Sequence, residues 1–212
     1  MDWTFVAFAA VGVGVLLRWL CSPTEQRPTR VGRLAFDPGM VAEYAQVNGG
    51  RATVLRGGHP GARFDTPHGT FSFGAWRGGV GRCAQPLLHL RLEATRPLRV
   101  ERLRISARQA GVQAAGGMIA FATAVADFDR RFALHRASSA EPRAVLALAA
   151  RLRSTLENPA LQNLVLMDVS EEGLHMVLPV GQAGLEPSVG LFWQVFDAIA
   201  RESHATSVRP PR

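Results

Sequence analysis

Apolar residues open the chain in one run, alternate with polar ones through its middle, and return every three or four positions in its last third. Residues 3–17 are uncharged, and as a helix they would cover about 22 Å of a roughly 30 Å hydrocarbon core. Letting Arg18 snorkel extends the span to residues 3–21, about 28 Å, with Trp3 and Trp19 at interfacial depth. The pattern predicts a transmembrane anchor over residues 1–21 and, over 22–33, a polar linker holding two prolines and three arginines. Folding resumes at 34. Asp37-Pro38 starts a short helix carrying Met40, Val41, Tyr44 and Val47, stopped by Asn48-Gly49-Gly50.

Strands are expected over 52–55, 70–76 and 87–93, the last with Leu88, Leu90 and Leu92 on one face. The Gly-, Pro- and His-containing stretch 57–69 reads as loop. Residues 98–105 read as the hairpin partner of 87–93, with a one-position slip at Glu101-Arg102 that a bulge would produce. The uncharged run 109–126 invites a second span, but Gln109, Gln113 and its glycines favour a loop feeding a buried segment over 118–125. Val145, Leu148, Ala149, Leu152 and Leu156 stripe a helix over 143–156, with Ser138 or Ser139 as cap. A hairpin pairs 164–169 with 174–178, and Val189, Phe192, Trp193, Phe196 and Ile199 stripe a last helix after Glu186-Pro187. The order predicts an α+β domain over 34–203, with an antiparallel sheet and helices on one face, then a tail over 204–212.

A secretory leader competes for the opening run. Met1-Asp2 lacks its basic start, and bulky Trp19-Leu20 before Cys21 disfavours both cleavage and lipid attachment. One small-residue pair, Ala10 and Gly14, could let two spans approach. Arg18, Arg27, Arg30 and Arg33 follow the span, against Asp2 ahead of it. The positive-inside bias therefore places the domain in the cytoplasm and the single span in the inner membrane.

At 47% hydrophobic and 19% charged, the 212 residues can bury a core, which excludes a disordered chain. Two cysteines cannot staple a fold. The net charge of +7 is uneven: residues 1–108 hold 15 arginines against 7 acids, residues 109–212 hold 9 against 10, and lysine is absent. Six arginines, Arg91, Arg96, Arg99, Arg102, Arg104 and Arg108, form a ribbon that could contact anionic lipid headgroups or other anions. Nucleic acid is disfavoured, since no aromatic residue for base stacking lies between Trp76 and Phe121.

Phe128-Asp129-Arg130-Arg131-Phe132, an FD-x-x-F motif, precedes the Ala/Leu-rich helix and the strand pair with a glycine turn. With the N-terminal span and strand-rich middle, this order resembles a loosely defined group of uncharacterised bacterial single-pass membrane-anchored proteins. The similarity is most specific over 127–173; Ala126 stands where relatives carry glycine before the first acid. The resemblance implies no activity and no catalytic residues. From the residues themselves, Phe128 and Phe132 read as core anchors and Asp129 as a turn or capping acid.

Standard catalytic and cofactor patterns are missing. The histidines at 59, 68, 89, 135, 175 and 204 are scattered without metal-ligand spacing, so neither metal nor cofactor is expected, although His59 and His68 could meet within one loop. Glycines 78, 79 and 81 lack the following helix and Lys-Ser/Thr pair of a phosphate loop, and no serine sits in a Gly-x-Ser-x-Gly elbow. Asp127 and Asp129 would share one face of an extended strand, while Glu171 and Glu172 fall in a turn. The reading is a membrane-anchored, non-catalytic interaction or scaffold module with a protein or lipid partner. The alternative is a membrane-bound hydrolase or transferase using Cys83 or a histidine with Asp129.

Overall fold

The structure is a computed structural model that describes residues 38–55, 58–77, 86–161, 164–180 and 185–205. The expected anchor, the linker, Cys83, the 78–82 glycine segment and the tail beyond 205 lie outside them. Among the described residues no helix is long and apolar enough to cross a membrane.

Helix α1 is Pro38–Val47, and the strands that follow are β1 Arg51–Leu55, β2 His59–Thr66, β3 Gly69–Arg77, β4 Pro86–Ala94, β5 Leu103–Ala107 and β6 Met118–Phe121. Then come α2 Ala126–Arg131, β7 Phe132–Ala137, α3 Pro142–Leu156, β8 Leu166–Ser170, β9 Gly173–Pro179 and α4 Leu185–Ala205. The nine strands form one sheet, order β1-β2-β3-β4-β9-β8-β5-β7-β6, with every pair antiparallel. This is an α+β fold.

Alternation fixes which face is buried. Phe71 and Phe73 of β3, Leu88, Leu90 and Leu92 of β4, Leu103 and Ile105 of β5, and Leu174 and Met176 of β9 join one apolar cluster. Val41 and Ala45 of α1, Leu148 and Leu152 of α3, and Phe192 and Phe196 of α4 join the same cluster, so the helices cover one face of the sheet. The intervening residues face the other way. There a smaller cluster of Leu87, Leu166 and Val177 is covered by Ala110 from a single 3-10 turn, Arg108–Ala110.

Four expectations are corrected. The stretch 57–69 contains β2: Ala62 and Phe64 turn inward while Arg63 and Asp65 stay exposed, an alternation hidden by the glycines and proline. Residues 98–102 do not pair with β4, because the β8–β9 hairpin inserts between β4 and β5. The connection instead passes over the hairpin turn, where Leu98 N–H donates to the Glu171 carbonyl and Ala94 N–H to the Glu172 carbonyl, both at 2.8 Å. The apparent bulge is the entry to β5. Segment 118–125 is an edge strand plus a turn, with Ile119 and Ala120 exposed. Finally, α3 starts after Glu141 with Pro142 in its first turn and no side-chain cap, so neither Ser138 nor Ser139 caps it.

Candidate functional site: the uncovered face of the sheet

The strand registers align one lateral row across the uncovered face: Arg51, Arg63, Ser72, Arg91, His175, Asp168, Arg104, His135 and Ala120, one residue from each strand. Antiparallel register makes each residue the direct neighbour of the next. Polar groups from segments more than 80 residues apart are thus brought together without a loop.

Asp168 is the electrostatic centre of the row. Arg104 Nε donates to Asp168 Oδ2 at 3.1 Å and Arg104 Nη2 to the same oxygen, while Arg102 Nε lies 3.8 Å from Oδ1. The Arg104 and Asp168 side chains are 16% and 15% exposed, so their attraction is less screened than that of a surface pair. Beside them, His175 Nε2 lies 3.2 Å from His89 Nδ1, one ring donating and the other accepting. Burial pushes the His89 imidazole down to about 3, helped by His175 and His59. His175 is pushed down to about 4 by burial and by Arg91 and Arg104, with Asp168 pulling the other way. His135 is also lowered, by burial and then by Arg104 and Arg108. Both members of the imidazole pair are therefore neutral near pH 7, polar recognition groups with little basicity.

The expected arginine ribbon does not form one face. Arg91 carries its charge beside Glu93 at 3.4 Å, and Arg102 and Arg104 share Asp168. Arg96 and Arg99 are exposed in the β4–β5 connection, and Arg108, past the far end of β5, donates through Nε to the Asp129 carbonyl at 2.7 Å. Arg91, Arg102, Asp168 and His175 line an open depression of about 590 Å³ beside the hairpin turn, with Glu101, Glu171 and Glu172 also in its lining. Acids and cations alternate there, unlike the uniform cation field that collects phosphates.

The other candidates disperse. Asp127 and Asp129 lie on the short helix α2 rather than on a strand face. Asp129 Oδ1 accepts from the Thr123 N–H at 3.0 Å and the Thr123 hydroxyl at 2.8 Å, which fixes the turn where Ala124 takes a φ of 65°. Phe128 and Phe132 are buried with ring centroids 5.0 Å apart, as the motif reading required. His59 begins β2, whereas His68 sits in the β2–β3 turn with its ring 5.1 Å from Phe196, so the strand separates them. Among the described residues no three His, Cys, Asp or Glu side chains are grouped to hold a metal.

Sequence reading missed the His89–His175 pair and Asp168. A signal was present: Leu88-His89-Leu90 and Leu174-His175-Met176 each set an imidazole at the polar position of an otherwise apolar strand.

No protein-family model matches the chain, and no curated protein matches it. Among solved structures, it is similar to the crystal structure of the mycobacterial trehalose monomycolate transport factor A, TtfA, with 9% identity, a TM-score of 0.45, and coverage of 86% of this chain and 97% of that one.

Proposed function

We propose that the chain is a membrane-tethered, non-catalytic interaction module, held in the inner membrane by residues 3–21, whose cytoplasmic domain docks a protein through the uncovered face of its sheet. The observation that supports this most is the nine-strand row with the acids beside it: four arginines, Asp168 and two imidazoles, with Asp65 next to Arg63 and Glu93 next to Arg91 on the same strand faces, free of α-helical cover among the described residues. A surface whose cations are interleaved with acids fits a protein of complementary pattern better than a bilayer of one sign. The hydrolase alternative gains nothing from the described residues. Asp129 is held by Thr123, His135 on the adjoining β7 stands across from Arg104 and Ala120, and His175 lies three strands away.

Photo-crosslinking in native membranes tests this. A photoreactive residue at Ser72 or Arg91, on the uncovered face, is expected to trap a discrete partner, whereas one at the exposed Ala147 of α3 is not. Adducts from Ala147 with none from the sheet would overturn the docking surface, and loss of the protein from alkaline-washed membranes would overturn the tether.

A further inference from the structure

Of the uncharged run 109–126 the docking row takes only Ala120. At 19% charged residues, eighteen positions should hold three or four charges, and these hold none. The fold puts the centre of that run, Met118–Phe121, at one end of the sheet as β6, which among the described residues pairs with β7 alone. An edge strand presents unpaired backbone N–H and C=O groups, and proteins ordinarily blunt such an edge with shortness, charge, proline or a bulge. β6, four residues long, has only the first of these, and Ile119, 43% exposed, is among the most exposed large apolar side chains described. The opposite edge differs: β1 carries exposed Arg51 directly across from exposed Arg63, and α1 packs against it.

We propose that β6 pairs antiparallel with β6 of a second copy of this chain, joining two sheets into one of eighteen strands. Self-pairing requires a surface that tolerates itself, and an uncharged edge meets its copy without repulsion. The neighbouring groups permit it. Arg136 stands opposite Ile119 on β7, but its Nη1 donates to the carbonyls of Ala137 at 3.2 Å and Ala140 at 2.9 Å, turned into the loop ahead of α3. His135 stands opposite Ala120 with a pKa lowered by burial. Of the nearest charges along the chain, Asp127 pairs with Arg130 at 3.3 Å on α2 and Asp129 accepts from Thr123.

Register follows from the pleat. Directly opposed residues share a face, so a two-fold axis perpendicular to the sheet must pass through a residue position. Centred on Ala120, it sets Ile119 of each copy against Phe121 of the other, an aliphatic–aromatic pair formed twice on the helix-bearing face. Centred on Ile119, it leaves both Phe121 rings beyond the pairing. The Ala120 register therefore follows, and the two docking faces merge into one double-width surface. Four or five paired residues per copy are a small contact, so the dimer draws on confinement in the bilayer, which raises the effective concentration of copies; in this it rests on the tether reading.

The test uses the full chain in native membranes with Cys21→Ser and Cys83→Ser, adding Ala120→Cys, Ile119→Cys or Val54→Cys one at a time under mild oxidation. Self-opposed Cα atoms about 4.5–5.5 Å apart lie within disulfide reach. A crosslinked dimer is expected from Ala120→Cys, with yields at least tenfold lower from Ile119→Cys and from Val54→Cys on the other edge. Equal yields from all three, or none from Ala120→Cys, would overturn the pairing. Because an added cysteine could perturb the strand, Ile119→Lys provides a second arm: in proteoliposomes it is expected to abolish single-molecule co-localisation of two labelled copies, and unchanged co-localisation contradicts the proposal. Alkaline extraction of the same membranes separates failure of the tether, which releases the chain, from failure of the pairing, which leaves it bound and monomeric.

Discussion

The two faces of the sheet are built from alternate residues of the same strands and obey opposite rules. On the covered face, Leu88, Leu90 and Leu92 of β4 bury completely or nearly so under the helices, and their contribution is apolar area removed from water. On the uncovered face, the β4–β9 register sets Arg91 opposite His175 and brings His89 to it on the diagonal, while Arg91 pairs with Glu93 along the strand. The first face tolerates no lost volume, whereas the second tolerates loss of charge wherever water can replace it. The comparison locates stability on one side of the sheet and recognition on the other.

That division can be broken most violently at the glycines that join the faces. Gly173 begins β9 at a φ of 145°, and a Cβ there would run into the Leu92 carbonyl oxygen. Gly173→Ala is expected to cost on the order of 4 kcal/mol or prevent folding, read by chemical denaturation. Leu90→Ala, at a site with no exposure, is expected to cost about 2–5 kcal/mol by the same measurement.

On the recognition face the central ion pair should respond next. Asp168→Ala leaves the mostly buried Arg104 without its carboxylate, an expected loss of about 2–3 kcal/mol. Replacing both, Arg104→Met with Asp168→Leu, should recover most of that loss, because apolar groups need no counter-charge. If the double variant were no more stable than Asp168→Ala, the pair would not be acting as a unit.

Acid titration probes the imidazoles of the same face. His89 and His175 titrate in the unfolded chain near 6.5 but in the fold at about 3 and about 4, so between these values the unfolded state binds more protons. Their contribution is full above pH 6.5 and is lost as pH falls through the folded values. The melting temperature at pH 4.5 is expected to lie on the order of 10 °C below that at pH 7, and the slope should flatten in His89→Gln/His175→Gln. An unaltered slope would assign acid sensitivity to other groups.

The smallest change is expected at the exposed end of the row. Arg51→Ser, which removes a cation lying opposite Arg63, should shift stability by no more than about 0.5 kcal/mol, in the stabilising direction.

The covered face was largely legible in the sequence because burial leaves a periodic trace. The stripes of α3 and α4, the leucines of β4 and the β8–β9 hairpin stand where alternation and helical spacing put them. Phe128 and Phe132 likewise read correctly as anchors. The uncovered face was not legible, because its neighbours are set by strand order, which no local pattern records. Nothing near Leu98 signals that residues 166–179 will separate β4 from β5, so the arginines read as one ribbon part company in the fold. β2 was hidden for a different reason: Gly61 faces Gly74 across the strands because the Leu55 side chain lies over both, and glycines required by packing look in sequence like glycines required by turns.

Side-chain radical footprinting of the full chain, in its native membrane and after solubilisation in detergent, tests the recognition face most directly. Leu55, His59 and His175 are expected to react several-fold more in detergent than in the membrane, while Leu146 on the exterior of α3 reacts equally in both. Equal reactivity of the sheet residues in the two settings, or protection of Leu146 instead, would contradict the claim that the uncovered sheet is where this protein meets its partner.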